Sequence, residues 1–183
     1  MNRRRFLVAA GTGAAALGVG RVADARAATD DDLAVANYGV AASWLLQDVH
    51  ARILDRKLGT PTQLVASRRA AAATGQHATA LSALLTGAGQ SAPAREDFAF
   101  VLPAAAFAER GAAETLIRGV TRAVGGAYQG AAAAATESSY RVLYASLSAS
   151  LAGQLALVTG STEPFPVALD LETASTAIEE YLG

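Results

Sequence analysis

Four long stretches with apolar residues at helical spacing, separated by glycine and proline, constrain the fold of this chain most. They run over residues 33–56, 62–85, 104–128 and 138–158, and a shorter amphipathic stretch follows at 170–182. Apolar residues that recur every three to four positions indicate amphipathic helices, and Gly and Pro mark where such helices stop and restart. No alternating apolar and polar stretch is long enough to predict a β-sheet. The sequence therefore predicts an all-α protein, an up-down four-helix bundle with a short C-terminal fifth helix.

The first 27 residues have the composition of an export signal. Arg3, Arg4 and Arg5 precede Phe6-Leu7, a weakly apolar run follows at 8–20, and Ala25-Arg26-Ala27 provides an A-x-A cleavage site. A basic start, a short apolar centre and small residues before the cut are typical of such signals. The arginine pair before Phe6-Leu7 resembles a twin-arginine signal, and an arginine-rich general secretion signal is the alternative. We expect residues 1–27 to be a twin-arginine-type signal peptide and residues 28–183 to form one domain, exported to the periplasm, the cell envelope or the extracellular space.

Charge and cysteine content exclude several classes of function. The chain has 15 Lys and Arg and 16 Asp and Glu; five of the arginines but only one aspartate precede residue 28, so the predicted mature domain has a net charge of −5. An acidic domain without a basic run is a poor partner for nucleic acid. The chain has no cysteine, which excludes disulfides, thiolate metal sites and a cysteine nucleophile.

One later segment has the length of a membrane span. Residues 142–162 are uncharged, and about 20 apolar residues suffice to cross a bilayer. Ser146, Ser148, Ser150 and Gln154 interrupt the apolar character of this segment. We therefore expect a core helix of the bundle here, and no stable membrane span once the signal is removed.

Several short motifs resemble exported ferritin-like proteins. Residues 36–50 (Ala-Asn-Tyr-Gly-Val-Ala-Ala-Ser-Trp-Leu-Leu-Gln-Asp-Val-His) are similar to the first helix of that family, and residues 77–89 to the end of its second helix. Phe98-Ala99-Phe100 resembles the connecting strand, and residues 125–131 (Gly-Gly-Ala-Tyr-Gln-Gly-Ala) resemble the end of the third helix. The resemblance covers most of residues 28–183 and implies a ferritin-like bundle. In that family, two Glu-x-x-His pairs and two further glutamates hold a di-iron or di-manganese site.

The matching positions of this chain lack the carboxylates of that metal site. The resemblance places the ligand positions at Ser43 in the first helix, Thr74 and His77 in the second, Thr121 in the third, and Ser150 and Gly153 in the fourth. Independently of the resemblance, no Asp or Glu occurs between Asp55 and Glu96 or between Glu137 and Glu163. Two hard cations require bridging carboxylates, so we expect no carboxylate-bridged metal pair. We expect hydroxyl groups that bond back to helix carbonyls, with a small cavity or buried waters at that level.

His50 and His77 leave one metal hypothesis open. His50 lies seven residues after Ser43 on the same predicted helix face. The two histidines could hold a single Fe, Mn, Zn or Cu ion, but such a site needs a third ligand, which would have to be Asp48, Asp55 or Glu114. The competing interpretation is that His77 is a core histidine hydrogen-bonded to a neighbour.

The sequence therefore favours a protein that is not an enzyme and holds no cofactor. We expect a non-catalytic ferritin-like bundle that acts as a binding or structural module in the cell envelope, with a protein or a small apolar ligand as its partner. The alternative is a metal-binding ferritin-like oxidoreductase or storage protein with a non-standard site near His50 and His77. Neither a G-x-S-x-G motif nor a glycine-rich phosphate loop is present. Small residues on the helix faces permit a homodimer.

Overall fold

The protein is built from helices. The computed structural model describes residues 30–160, 162 and 166–182, so the predicted signal at 1–27 lies outside the described residues. The helices are α1 (Asp30–Asp55), α2 (Pro61–Gly87), α3 (Arg110–Ala134), α4 (Ser138–Thr159) and α5 (Leu171–Glu179). The described part of the chain has no β-strand, only an isolated bridge between Phe100 and Leu182. The prediction of an all-α protein is confirmed.

Local capping explains where these helices begin and end. At the start of α2, the Thr60 hydroxyl accepts a hydrogen bond from the Gln63 amide, and the Gln63 side chain accepts one from the Thr60 amide. This capping box precedes the proline that opens the helix. At the end of α4, Gly160 adopts a left-handed conformation with φ of 70°, which glycine tolerates best. The third helix begins at Arg110 and not near residue 104, because residues Ala104–Phe107 form a separate 3-10 turn with Phe107 buried.

Contacts at the two ends of the bundle define the direction of each helix. At one end, Tyr144 near the start of α4 donates a hydrogen bond of 2.6 Å to the carbonyl of Asp32 near the start of α1. At the other end, Gln63 near the start of α2 donates one of 3.3 Å to Glu114 near the start of α3. The end of α4 also lies there, since Gly160 is beside Gln63. Helices α1 and α4 therefore run in one direction, and α2 and α3 run in the other.

Strict up-down alternation fails between α2 and α3. Each of α1 and α4 packs along both α2 and α3, so the parallel helices α2 and α3 lie diagonally opposite each other. The connection 88–109 has to return along the length of the bundle. It is attached to α1 on the way, because Arg95 forms an ion pair of 2.6 Å with Asp48, and the Arg52 guanidinium lies over the ring of Phe107. Hydrophobic periodicity contains no information on helix direction, so the sequence did not reveal this crossing.

The chain that leads into α5 lies against a glycine face of α3. The Leu169 amide donates a hydrogen bond of 2.9 Å to the Gly126 carbonyl. A Cβ atom built at Gly130 would lie 2.1 Å from the Leu169 carbonyl oxygen, and one at Gly126 would lie 2.6 Å from the Val167 carbonyl oxygen. Real Cβ atoms do not approach backbone atoms so closely, so this contact requires glycine at both positions.

Helix α5 then closes one side of the bundle. Its residues Ala174 and Ile178 are fully buried, and the Tyr38 hydroxyl of α1 donates a hydrogen bond of 3.3 Å to the Ala174 carbonyl. The end of the chain pairs with the connection between α2 and α3, since the Val101 amide donates to the Tyr181 carbonyl at 2.9 Å. The C-terminal segment therefore ties α1, α3 and the long connection together.

Candidate functional site

The predicted ligand positions on α1, α2 and α3 lie inside the bundle. Ser43, Thr74 and Thr121 are all buried. The Thr74 hydroxyl donates a hydrogen bond of 3.0 Å to the Ala71 carbonyl of its own helix, and the Ser43 side chain forms a hydrogen bond with the phenol of Tyr128. These buried positions therefore hold neutral side chains, two of which are hydrogen-bonded within the chain.

The predicted positions on α4 lie nearer the surface than those on the other helices. Ser150 is half-buried and Gly153 is exposed, and of the two only Ser150 contacts another predicted position, His77. The buried residues of α4 include Leu147, Ser148 and Leu151, and the Ser148 hydroxyl donates a hydrogen bond of 3.0 Å to the Gly125 carbonyl of α3. Because α4 is uncharged on both faces beyond Arg141, charge does not distinguish its inner face from its outer face.

His77 lies at the seam between α2 and α4. Its Nε2 atom is 3.2 Å from the hydroxyl of Ser150, and the Gln154 amide donates to the same hydroxyl at 2.9 Å. Burial lowers the pKa of His77 below its ordinary value, which favours the neutral ring at pH 7. This geometry agrees with the interpretation of His77 as a hydrogen-bonded core histidine.

His50 lies in the interface between α1 and α2. The Gln47 side chain donates a hydrogen bond of 3.4 Å to the Ala71 carbonyl, and His50 and Ser67 lie one turn beyond this contact on their respective helices. His50 is 3% exposed, and among the described residues neither its Nδ1 atom nor the Ser67 hydroxyl has a hydrogen-bond partner. Burial lowers the pKa of His50 to about 4, so its ring is neutral near pH 7.

The three residues that could supply a third metal ligand beside His50 and His77 are either paired with an arginine or exposed. Asp48 is paired with Arg95 at 2.6 Å, and Glu114 is paired with Arg110 at 2.7 Å. Asp55 is exposed at the end of α1. Within residues 30–160, 162 and 166–182, no group of three or more His, Cys, Asp or Glu side chains is placed to hold a metal ion.

Three buried tyrosines form a cluster in the core of the bundle. Tyr38, Tyr128 and Tyr144 are each at most 2% exposed, and the rings of Tyr128 and Tyr144 stack with centroids 6.0 Å apart. Burial raises the pKa of all three phenols above the ordinary value. They therefore stay protonated over the whole physiological range and act as packing and hydrogen-bonding groups.

A cavity of about 600 Å³ lies at the end of the bundle where α1 begins and α3 ends. It is partly open to solvent, and its lining is mostly small or aliphatic. The lining includes Val35, Ala127, Ala131 and Leu169, together with the aspartates at 31, 32 and 170. It is distant from the level of Ser43 and Thr74, where the sequence had predicted room. Segments far apart in the sequence form it, so no local pattern could have indicated it.

The described buried polar side chains of the bundle are mainly hydroxyls, phenols and neutral imidazoles, and the buried Asp32 lies in the first turn of α1. Comparison with protein-family models, curated proteins and solved structures finds no match for this chain.

Proposed function

We propose that this chain is an exported, non-catalytic bundle of the ferritin-like type that acts as a binding or structural module in the cell envelope. The observation that carries the proposal is the set of neutral hydroxyls at Ser43, Thr74 and Thr121, all buried in the bundle. A ferritin-like metal site would need carboxylates at this level. Hydroxyls that bond within the chain leave no requirement for a metal.

The order of the helices supports the ferritin-like part of the proposal. Ferritin-like bundles contain one long crossover connection among four long helices. Here α2 and α3 run parallel on diagonal positions, and residues 88–109 connect them along the bundle. The motifs at 36–50 and 125–131 that resemble the family lie on α1 and at the end of α3. Topology and local sequence therefore favour the same interpretation.

The energetics of burial support a bundle that is stable without metal. Unpaired carboxylates in a helical core are costly unless a cation compensates them. A serine or threonine satisfies its hydroxyl with a nearby carbonyl, as Thr74 does with Ala71. Replacement of ligand carboxylates by hydroxyls thus removes both the metal and the need for it.

Elemental analysis tests the non-catalytic part of the proposal. The protein is purified from its producing host, then incubated aerobically with iron, manganese, zinc or copper and freed of unbound metal. We expect metal well below one ion per chain in the wild type and in the variants His77→Ala and His50→Leu. The exposed neighbour Gln76→Ala serves as a matched control on α2. Near-stoichiometric metal in the wild type and in Gln76→Ala, lost in either histidine variant, would refute the proposal in favour of a metalloprotein.

A separate experiment tests the location. The full chain is produced with and without the double substitution Arg4→Lys and Arg5→Lys, and the cell fractions are compared. Twin-arginine export depends on this pair, so we expect the wild type outside the cytoplasm and the variant retained inside. Equal export of both would exclude the twin-arginine route, and wild-type protein confined to the cytoplasm would exclude an envelope function.

A further inference from the structure

The outward face of α4 has no charged residue beyond Arg141. Exposed residues recur there at helical spacing and include Val142, Ser146, Ala149, Gly153 and Leu157. Val142 is 68% exposed and Leu157 is 65% exposed. An outward helix face in a monomer normally carries charged residues, so this face is unusual for one that meets only water.

The uncharged surface extends onto the neighbouring helix. Helices α2 and α4 pack side by side, and α2 has no Asp, Glu, Lys or Arg beyond Arg69. Its exposed residues there include Ala72, Gln76 and Ala83. We call the surface formed by Ala72, Gln76, Ala83, Val142, Ala149, Gly153 and Leu157 the α2–α4 face.

Gly153 contributes to this face a position without a side chain. It lies in the middle of α4 and is exposed, and a Cβ atom built there would meet nothing within 4 Å. A glycine inside a helix is less favourable than alanine by about 0.5–1 kcal/mol. The glycines at 125, 126 and 130 of α3 have close neighbours inside the chain, whereas Gly119 and Gly153 have none. Gly119 lies between Arg118 and Arg122, whereas no charged residue lies near Gly153 along α4, so the uncharged surroundings of Gly153 leave room for close approach by another backbone.

We propose that a second copy of this chain docks on the α2–α4 face and forms a two-fold symmetric dimer. The 22 residues of α4 span about 33 Å at 1.5 Å per residue, and two neighbouring helices present a width of about 20 Å. The face therefore offers on the order of 700 Å² per chain, close to the ~800 Å² per partner of a standard interface. Around a two-fold axis the same face meets itself, and an uncharged face avoids repulsion between two identical copies.

A lipid bilayer fits the same face less well. Helix α4 is the one described helix long and apolar enough to cross a membrane, and 39% of its most apolar window is buried in the protein. A surface in contact with lipid tails would expose large aliphatic side chains, whereas small residues favour contact between helices. Between Val142 and Leu157 the outward residues are mostly Ala, Ser and Gly. The dimer does not depend on whether the bundle binds metal, so the two proposals stand or fall separately.

Two glycine substitutions of the same kind test the dimer. Gly153→Glu places a carboxylate on the α2–α4 face, and Gly119→Glu places one on α3 between Arg118 and Arg122. Both glycines are exposed within a helix and have open space around the added side chain, so neither substitution overpacks the fold. Sedimentation equilibrium of the full protein, from about 1 µM to about 100 µM, covers the affinity range of ordinary dimers.

We expect wild type and Gly119→Glu to dimerise with similar affinity, and Gly153→Glu to weaken the dimer by at least about 100-fold, because the two carboxylates would face each other across the axis. Ala149→Glu, one turn away, should act in the same direction. Circular dichroism checks that each variant keeps its helices. A monomeric wild type at the highest concentration, or a dimer unaffected by both face substitutions, overturns the proposal. A monomer that floats with phosphatidylcholine vesicles, and loses that binding in Gly153→Glu, overturns it in favour of a membrane.

Discussion

The contact between Gly130 and Leu169 predicts that Gly130→Ala destabilises the protein, although alanine is the better helix former. The added Cβ atom would lie 2.1 Å from the Leu169 carbonyl oxygen, so the chain at 166–170 has to move. Displacement of packed groups costs roughly 1–3 kcal/mol, and loss of the Leu169–Gly126 hydrogen bond costs about 1 kcal/mol. The higher helix propensity of alanine offsets about 1 kcal/mol of this loss. We expect a net loss of about 2 kcal/mol in the free energy of unfolding.

A matched substitution in the same helix separates the clash from the propensity. Gly119 is also inside α3, and a Cβ atom there meets nothing within 4 Å. Gly119→Ala should therefore raise the free energy of unfolding by about 0.5–1 kcal/mol. The same chemical change in one helix is thus expected to have opposite signs at positions 119 and 130, with a difference of about 3 kcal/mol.

Urea unfolding followed by circular dichroism gives the free energies by linear extrapolation. Hydrogen exchange at Ala174 and Ile178 reports whether α5 has loosened, since both residues are fully buried in the wild type. We expect faster exchange there in Gly130→Ala and unchanged exchange in Gly119→Ala. A Gly130→Ala protein as stable as the wild type, with α5 equally protected, would show that the glycine face of α3 does not hold the C-terminal segment.

Two further substitutions test a buried base and a helix cap. Burial lowers the pKa of His50 to about 4 from 6.5, so between these pH values the unfolded chain takes up a proton that the folded chain does not, and the free energy of unfolding falls as the pH falls, by about 3 kcal/mol at full effect. Between pH 7 and pH 4.5, the free energy of unfolding should therefore fall less in His50→Leu than in the wild type. Equal decreases in the two proteins would contradict the burial argument. Thr60→Ala removes the capping box of α2 and should cost about 1 kcal/mol in the same urea assay, whereas Thr60→Ser keeps the hydroxyl; an equal loss in both would show that the cap contributes little.

The helices were predictable because their signals are local. The Thr60-Pro61 start of α2 and the Gly160 stop of α4 follow from capping chemistry, and both agree with the structure. The start of α3 was misplaced by about two turns, because Pro103 permits a helix while the burial of Phe107 favours a separate 3-10 turn. That burial depends on Arg52 and α1, which are distant in sequence.

The relative direction of α2 and α3 could not be derived from helix patterns. The available signal was the length of the irregular stretch between them, since a connection of residues 88–109 exceeds what a tight turn needs. The anchors that direct it along α1, Arg95 on Asp48 and Phe107 beneath Arg52, are pairwise contacts. Each of these residues alone looks like an ordinary surface charge or an ordinary apolar residue.

The absence of charge from most of α2 and α4 has two separate consequences. Over these stretches, charged residues are absent from the inner face of each helix and from its outer face as well. On the inner face this absence accounts for the buried hydroxyl of Thr74, where the sequence had suggested a lost metal ligand, and for that of Ser148. On the outer face it leaves Val142, Gly153 and Leu157 exposed, with no charged residue beyond Arg141 on the same helix. Charge could have been kept on the outer face without affecting the core, so loss of a metal site does not explain the outer face. The proposed second copy that covers this face would explain it, and the pair Gly153→Glu and Gly119→Glu is the direct test of that proposal.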